Sequence, residues 1–131
     1  MASGDSLYPA DWRQSAAKDW RRLGVMLREG DAEAAAYFLQ QSLEKYLKAF
    51  LLSRGWALRK IHQLQVLLND AVGHDPSLEP YRKLCNKVSG YYFVERYPQT
   101  VPSGLTVGDV EADRREAQQL IRALFPDEQL S

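Results

Sequence analysis

Four polar residues on one predicted helix have the types and spacing that could support chemistry. Gln40, Glu44 and Lys48 recur every four residues and therefore form one row along a helix face. Glu44 and Lys48 are an ion pair in the favourable order, and Lys45 adds a second cation beside that acid. Two interpretations remain open: the row is a solvated helix face, or it forms the floor of a binding site.

A histidine and an arginine at predicted helix ends are the other candidates. His62 stands where a helix is expected to begin, a position from which it could cap the helix, bond a backbone group or act in catalysis. Arg96 stands where another helix should end, in the sequence YYFVERYP. Its guanidinium could pair with Glu44 or Glu95, stack on Tyr97, or bind a phosphate.

Most enzyme signatures are absent from the sequence. It contains no GxxxxGK[ST] loop, no GxGxxG after a strand, no HExxH and no ligand cluster at metal spacing. The single cysteine, Cys85, excludes an intrachain disulfide and a cysteine-cluster zinc site, and is expected in the helical core. We therefore predict no metal and no cofactor, and assign no catalytic residue.

Composition is that of one ordinary globular domain. The chain has 131 residues, of which 45% are hydrophobic and 26% charged, enough for a single core. Seventeen basic and seventeen acidic residues cancel, so overall charge gives no argument for a polyanionic partner. No apolar run approaches the ~20 residues of a membrane span, and no signal peptide is evident. These features predict a cytoplasmic protein.

The elements that must position these residues are helices. We predict an all-α fold, an antiparallel up-and-down bundle of four main helices plus one shorter helix. The main helices are expected at residues 9–28, 34–54, 77–95 and 106–125, and the shorter one at 62–72. Residues 1–8 are expected to be a flexible leader, 9–126 the bundle and 127–131 a tail.

The helix over residues 34–54 should be central to this bundle. Asp31 is placed to cap its start, and Gly55 to end it. Apolar residues recur along it at three- and four-residue spacing, with Tyr46 widening the stripe: Ala36, Leu39, Leu43, Leu47, Phe50 and Leu51. A helix with such a face must bury it against other helices.

These features together resemble the HEPN domain family. The segment AAAYFLQQSLEKYLKAFLLSRG is similar to that family's central helix, and His62-Gln63-Leu64 is similar to its H-[DN]-L motif, with Gln for the acid or amide. YYFVERYPQ resembles the Y-x-x-x-R-Y-P-[DE] motif of a bacterial branch associated with minimal nucleotidyltransferases, with Gln99 for the acid. The similarity extends over about residues 12–125.

The resemblance implies a helical bundle that forms homodimers, in one of two functional settings. Many members are ribonucleases or toxins with an R-x(4-6)-H motif, which this sequence lacks: Arg59 precedes His62 by three residues, Arg54 precedes it by eight, and no histidine follows Arg96. Other members bind nucleotides or act as partners of nucleotidyltransferases in two-component, toxin–antitoxin-like modules.

In that second setting, the resemblance implies that Lys48, His62 and Arg96 are phosphate ligands and that Tyr92 or Tyr97 stacks a base. Our preferred hypothesis is a nucleotide- or RNA-associated partner protein without catalysis. Two alternatives remain: a metal-independent ribonuclease or toxin acting on RNA, and a purely structural interaction module.

Overall fold

The computed structural model describes residues 5–94 and 103–130 and confirms the all-α bundle. Its α-helices are α1 (Pro9–Arg28), α2 (Ala32–Ser53), α3 (Leu64–His74), α4 (Arg82–Ser89) and α5 (Val107–Leu124). Short 3-10 helices at Pro76–Tyr81 and Gly90–Phe93 flank α4. No strand occurs in the described part of the chain, and none of its helices has the length and apolar character of a membrane span.

A very short turn makes α1 and α2 an antiparallel hairpin. Gly30 has φ of 76°, a left-handed conformation that glycine adopts without steric cost. Asp31 then caps α2, its side chain accepting a hydrogen bond of 3.1 Å from the backbone N–H of Ala34. In the middle of the hairpin, Ser42 Oγ donates to the carbonyl oxygen of Ala16 at 2.9 Å.

Helix α2 is the centre of the core, as predicted. Every residue of its predicted apolar stripe is buried, and Tyr46 is buried with them. The other helices bury matching apolar residues against it. From α1 and α3 these include Trp20, Leu23, Leu64, Leu67 and Leu68, and from α4 and α5 they include Leu84, Cys85, Val88, Leu120 and Ile121.

The prediction of one continuous helix over residues 77–95 is wrong. The described part of that segment is a 3-10 helix, the short α4 and a second 3-10 helix, and residue 95 lies outside the described ranges. Pro80 has no N–H to donate to the carbonyl of residue 76, and in an α-helix its ring would clash with that carbonyl, so the first turns form the tighter helix instead. The second 3-10 helix begins at Gly90 and sets the direction of Tyr91 and Tyr92.

Helix α3 begins two residues after His62, which therefore belongs to the preceding connector. Gln63 is the N-cap residue but makes no side-chain cap. The backbone N–H of Leu64 donates instead to Ser89 Oγ of α4, at 3.0 Å. At α5, Thr106 and Asp109 form a reciprocal capping box, each side chain accepting from the other's backbone N–H at 3.1 Å.

A candidate phosphate site around His62

The polar row of α2 is buried, so the interpretation of a solvated helix face is wrong. Gln40 is fully buried, and Glu44 and Lys48 keep only 4% and 3% of their surface exposed. The row is covered from two directions: Lys48 Nζ lies 5.3 Å from the Trp12 ring of α1, and the His62 imidazole lies over Glu44. A charged row inside a small bundle requires specific partners, because an uncompensated buried charge is costly.

The Glu44 carboxylate is the centre of that arrangement. Lys48 Nζ donates to its Oε2 at 2.9 Å, and Gln40 Nε2 donates to its Oε1 at 3.1 Å. His62 Nδ1 lies 3.1 Å from Oε1 and 3.2 Å from Oε2. Each carboxylate oxygen therefore has more than one partner, which offsets the loss of water on burial.

Three contacts position His62, two of them at the ring and one at its backbone. Glu44 holds Nδ1, and Gln40 Nε2 donates to the His62 carbonyl oxygen at 3.1 Å, which anchors the connector to α2. The ring also stacks on Tyr92, with centroids 4.6 Å apart and planes inclined by 20°. Tyr92 is in turn in contact with Tyr37 of α2, at a centroid distance of 6.4 Å.

About half of the His62 side chain is open to solvent. The His62 side chain keeps 49% of its surface exposed, although the groups that hold it are buried. Since Nδ1 faces Glu44, Nε2 is the nitrogen that a ligand can reach. A carboxylate at Nδ1 fixes the orientation and tautomer of the ring, and such a ring can donate to a phosphate oxygen or exchange a proton.

The two lysines of the predicted site occupy different environments. Lys48 is enclosed, and its ammonium is directed at Glu44. Lys45 pairs with Asp19 of α1 at 2.6 Å, and Asp19 also accepts from Arg22 at 2.7 Å. Lys45 therefore supports the α1–α2 packing, while Lys48 is the counter-charge of Glu44.

Arg96 and Tyr97 lie outside the described residues, and their roles remain predictions. The two arginines before His62 are engaged elsewhere. Arg59 pairs with Asp70 at 2.8 Å, and the Arg54 guanidinium lies 4.6 Å from the centre of the Phe50 ring. Neither contact brings these arginines to the imidazole.

Two features of the site are not apparent from the sequence. Four-residue spacing places Gln40 in the polar row but does not indicate its bond to the His62 backbone. Trp12 of α1 is only partly buried and covers the Lys48 ammonium, and no local pattern indicates that contact. In the described ranges, no group of three or more His, Cys, Asp or Glu side chains could hold a metal ion.

This architecture matches that of a known protein family. A family model described as HEPN domain matches residues 9–124, which is most of the chain and includes every described residue of the site. The chain belongs to the HEPN family. Its membership supports a nucleotide- or RNA-associated function.

A solved structure agrees with the HEPN assignment. The crystal structure of TT1696 from Thermus thermophilus is similar to this HEPN chain with a TM-score of 0.77 and 27% sequence identity. The alignment covers 88% of this chain and 94% of the other. No functionally curated protein matches the chain.

Proposed function

We propose that this HEPN protein binds a phosphate group of a nucleotide or RNA at His62. In this proposal it is a non-catalytic, cytoplasmic partner of a nucleotidyltransferase in a two-component, toxin–antitoxin-like module. The observation that carries the binding proposal is the imidazole itself: half exposed, stacked on Tyr92 and bound at Nδ1 to a buried carboxylate. Two contacts fix the ring itself, and the Gln40 hydrogen bond to the His62 carbonyl oxygen fixes the backbone that carries it.

Tyr92 acts in this proposal by holding the imidazole. One face of its ring is against His62, and the Tyr37 ring approaches it at 6.4 Å. A base could therefore stack only on the part of the Tyr92 ring that these two side chains do not cover. Lys48 acts from behind, as the counter-charge that keeps Glu44 ionised. Arg96, four residues after Tyr92 in the sequence, is the proposed second phosphate ligand, with Tyr97 as the stacking residue.

Calorimetric titration with ATP and with a short single-stranded RNA tests the binding proposal. A charge-assisted hydrogen bond contributes about 1.5–3 kcal/mol, so we expect His62→Ala to weaken binding about 10- to 100-fold. His74→Ala is the matched control, because His74 is the other histidine of the chain and ends α3 away from Glu44. Absence of binding by the wild type would leave only the interaction-module alternative.

The partnership requires its own experiments. We propose a homodimer that associates with a nucleotidyltransferase, an inference supported by the family resemblance. Light scattering at micromolar concentration should give twice the mass of the chain, and co-expression with a minimal nucleotidyltransferase should yield a complex on size exclusion. A monomeric mass, or separate elution of the two proteins, would contradict these proposals.

A metal-independent ribonuclease is the second candidate, and the Glu44–His62 contact favours it. A neutral imidazole with its Nδ1 proton on Glu44 presents Nε2 as a base. Nε2 would take the proton of a ribose 2′-OH, whose oxygen attacks the adjacent phosphorus. The 5′-oxygen would leave with a proton, giving a 2′,3′-cyclic phosphate and a 5′-hydroxyl. Cleavage of RNA by the wild type that is lost in His62→Ala and Arg96→Ala would establish this candidate over the first.

A further inference from the structure

We infer that phosphate binding at His62 is linked to proton uptake, and that Glu44 is the positioning residue for this linkage. The inference rests on the proposed phosphate site and adds its regulation by pH. It is carried by the geometry of the Lys48–Glu44–His62 cluster, in which one carboxylate holds an ammonium on one side and an imidazole on the other.

The net charge of this cluster explains why phosphate binding should be linked to proton uptake. The described titratable groups of this cluster are Glu44 of α2 and Tyr92 of the second 3-10 helix, which contact the imidazole, and Lys48 of α2, which pairs with Glu44. The charges of Glu44 and Lys48 cancel, and a phenol is neutral below its ordinary pKa of ~10. With a neutral His62 the cluster therefore has no net charge.

A neutral imidazole also presents the wrong group to a phosphate. With its one proton on Nδ1 and directed to Glu44, the ring has a lone pair on Nε2. A phosphate oxygen is an acceptor as well, so two lone pairs would face each other. With His62 neutral, this cluster thus offers the ligand neither a net charge nor a hydrogen-bond donor at Nε2.

Protonation from solvent reverses both properties without moving the ring. Nδ1–H stays on Glu44, Nε2 gains a hydrogen, and the cluster acquires one positive charge. An imidazolium between two anions, the buried carboxylate and the bound phosphate, is favoured over the neutral ring. Binding should therefore take up as much as one proton per site when the unliganded histidine is neutral.

The test uses a ligand whose own charge is constant. A terminal phosphate has a second pKa of ~6 and would confuse the result, so the probe is a dinucleoside monophosphate with a single phosphodiester. Calorimetric titrations between about pH 5.5 and 8, each in two buffers of different ionisation enthalpy, give both Kd and the number of protons taken up. Once the unliganded imidazole is neutral, Kd should rise by up to about tenfold per pH unit until it approaches the Kd of His62→Ala, because the protonated fraction binds more tightly.

Two variants distinguish a positioning role for Glu44 from a merely structural one. Lys48→Met leaves the carboxylate without its counter-charge, so imidazolium is favoured more strongly and binding should extend to higher pH. The double variant Glu44→Gln, Lys48→Met removes both charges together and should restrict binding to lower pH. A loss of folding would not shift the pH dependence in two opposite directions. His74→Gln is the control and should behave as the wild type.

The outcomes separate this inference from the proposed function. Binding whose Kd is constant across the pH range, with an enthalpy that does not depend on the buffer, overturns the proton linkage and leaves the phosphate site in place. No binding of the probe at any pH overturns both the proton linkage and the phosphate site. Protons released on binding would contradict the linkage directly and would favour the base role of Nε2.

Discussion

The hydroxyl of Tyr46 donates a hydrogen bond of 2.5 Å to Glu128 Oε2, joining the middle of α2 to a residue 82 positions later in the chain. Tyr46 is fully buried, and Arg13 of α1 binds the other oxygen of the same carboxylate at 2.5 Å. Arg13 also pairs with Asp127 at 2.9 Å and lies 4.5 Å from the centre of the Phe125 ring. The segment after α5 is thereby tied to both helices of the first hairpin.

Removing this hydroxyl should destabilise the fold. Tyr46→Phe leaves the largely buried Glu128 carboxylate with one partner fewer, and an unsatisfied buried group costs about 1–3 kcal/mol. We expect the free energy of unfolding in urea to fall by about that amount. Tyr81→Phe, at the end of the first 3-10 helix, is the matched control and should change it by less than about 0.5 kcal/mol. Equal effects of the two substitutions would contradict the prediction.

The same contact should give stability at neutral pH that alkali removes. Burial, and then the hydrogen bond to Glu128, raise the pKa of Tyr46 well above its ordinary value. Because the folded-state pKa lies above the unfolded one, the contribution is complete below pH ~10 and is lost as pH rises toward the folded-state value. Phenolate absorbance should show two tyrosines of the wild type ionising only with unfolding, Tyr46 and Tyr91, because burial and the hydrogen bond to Asp113 raise the pKa of Tyr91 as well. Tyr46→Phe should retain only one of them.

Removing one charge of the Glu44–Lys48 ion pair should lower the free energy of unfolding more than removing both charges. Glu44→Gln leaves the Lys48 ammonium buried without its counter-charge, and such changes typically cost about 3–5 kcal/mol. The double variant Glu44→Gln, Lys48→Met removes both charges and should recover much of that loss. Urea unfolding of the wild type, both single variants and the double variant gives the coupling energy. Simple additivity of the single effects would show that the pair is not coupled.

Cys85 should be chemically inert in the folded protein. Its side chain is buried in α4, and burial raises the pKa of the thiol to about 12. Since the thiolate is the reactive form, a disulfide reagent at about pH 8 should label the native protein slowly and the denatured protein fast. Rapid stoichiometric labelling under native conditions would contradict this placement. Cys85→Ala provides the blank for the assay.

Periodicity was sufficient to predict the helices that bury continuous apolar stripes. For α2, the spacing of Leu39, Leu43 and Leu47 identifies the face that the structure buries. Capping chemistry identified the start of α2 as well, since Asp31 caps that helix as predicted. These signals are local, and the physical forces behind them act over one or two turns of helix.

For the candidate site, the sequence could predict some of the residues but not how they are arranged or buried. The sequence pointed to Lys48, His62 and Tyr92, but the burial of the polar row depends on Trp12 and on a connector that folds back over α2. Amphipathic patterning assigns charged residues to solvent by default, and only tertiary packing could show that Glu44 is enclosed. The kind of helix around Pro80 could not be predicted either, because tolerance of proline in a first turn does not specify which kind of helix follows.

Two adjacent residues of the second 3-10 helix hold two separate parts of the molecule. Tyr91 donates to the buried Asp113 of α5 at 2.7 Å, while Tyr92 stacks on His62. A local opening that detaches Tyr91 from α5 would therefore also withdraw the ring that steadies the imidazole, with most of the core left intact. Hydrogen exchange at the backbone amides of the second 3-10 helix, residues 90–93, would then report how often the Tyr92 ring leaves His62, independently of global unfolding.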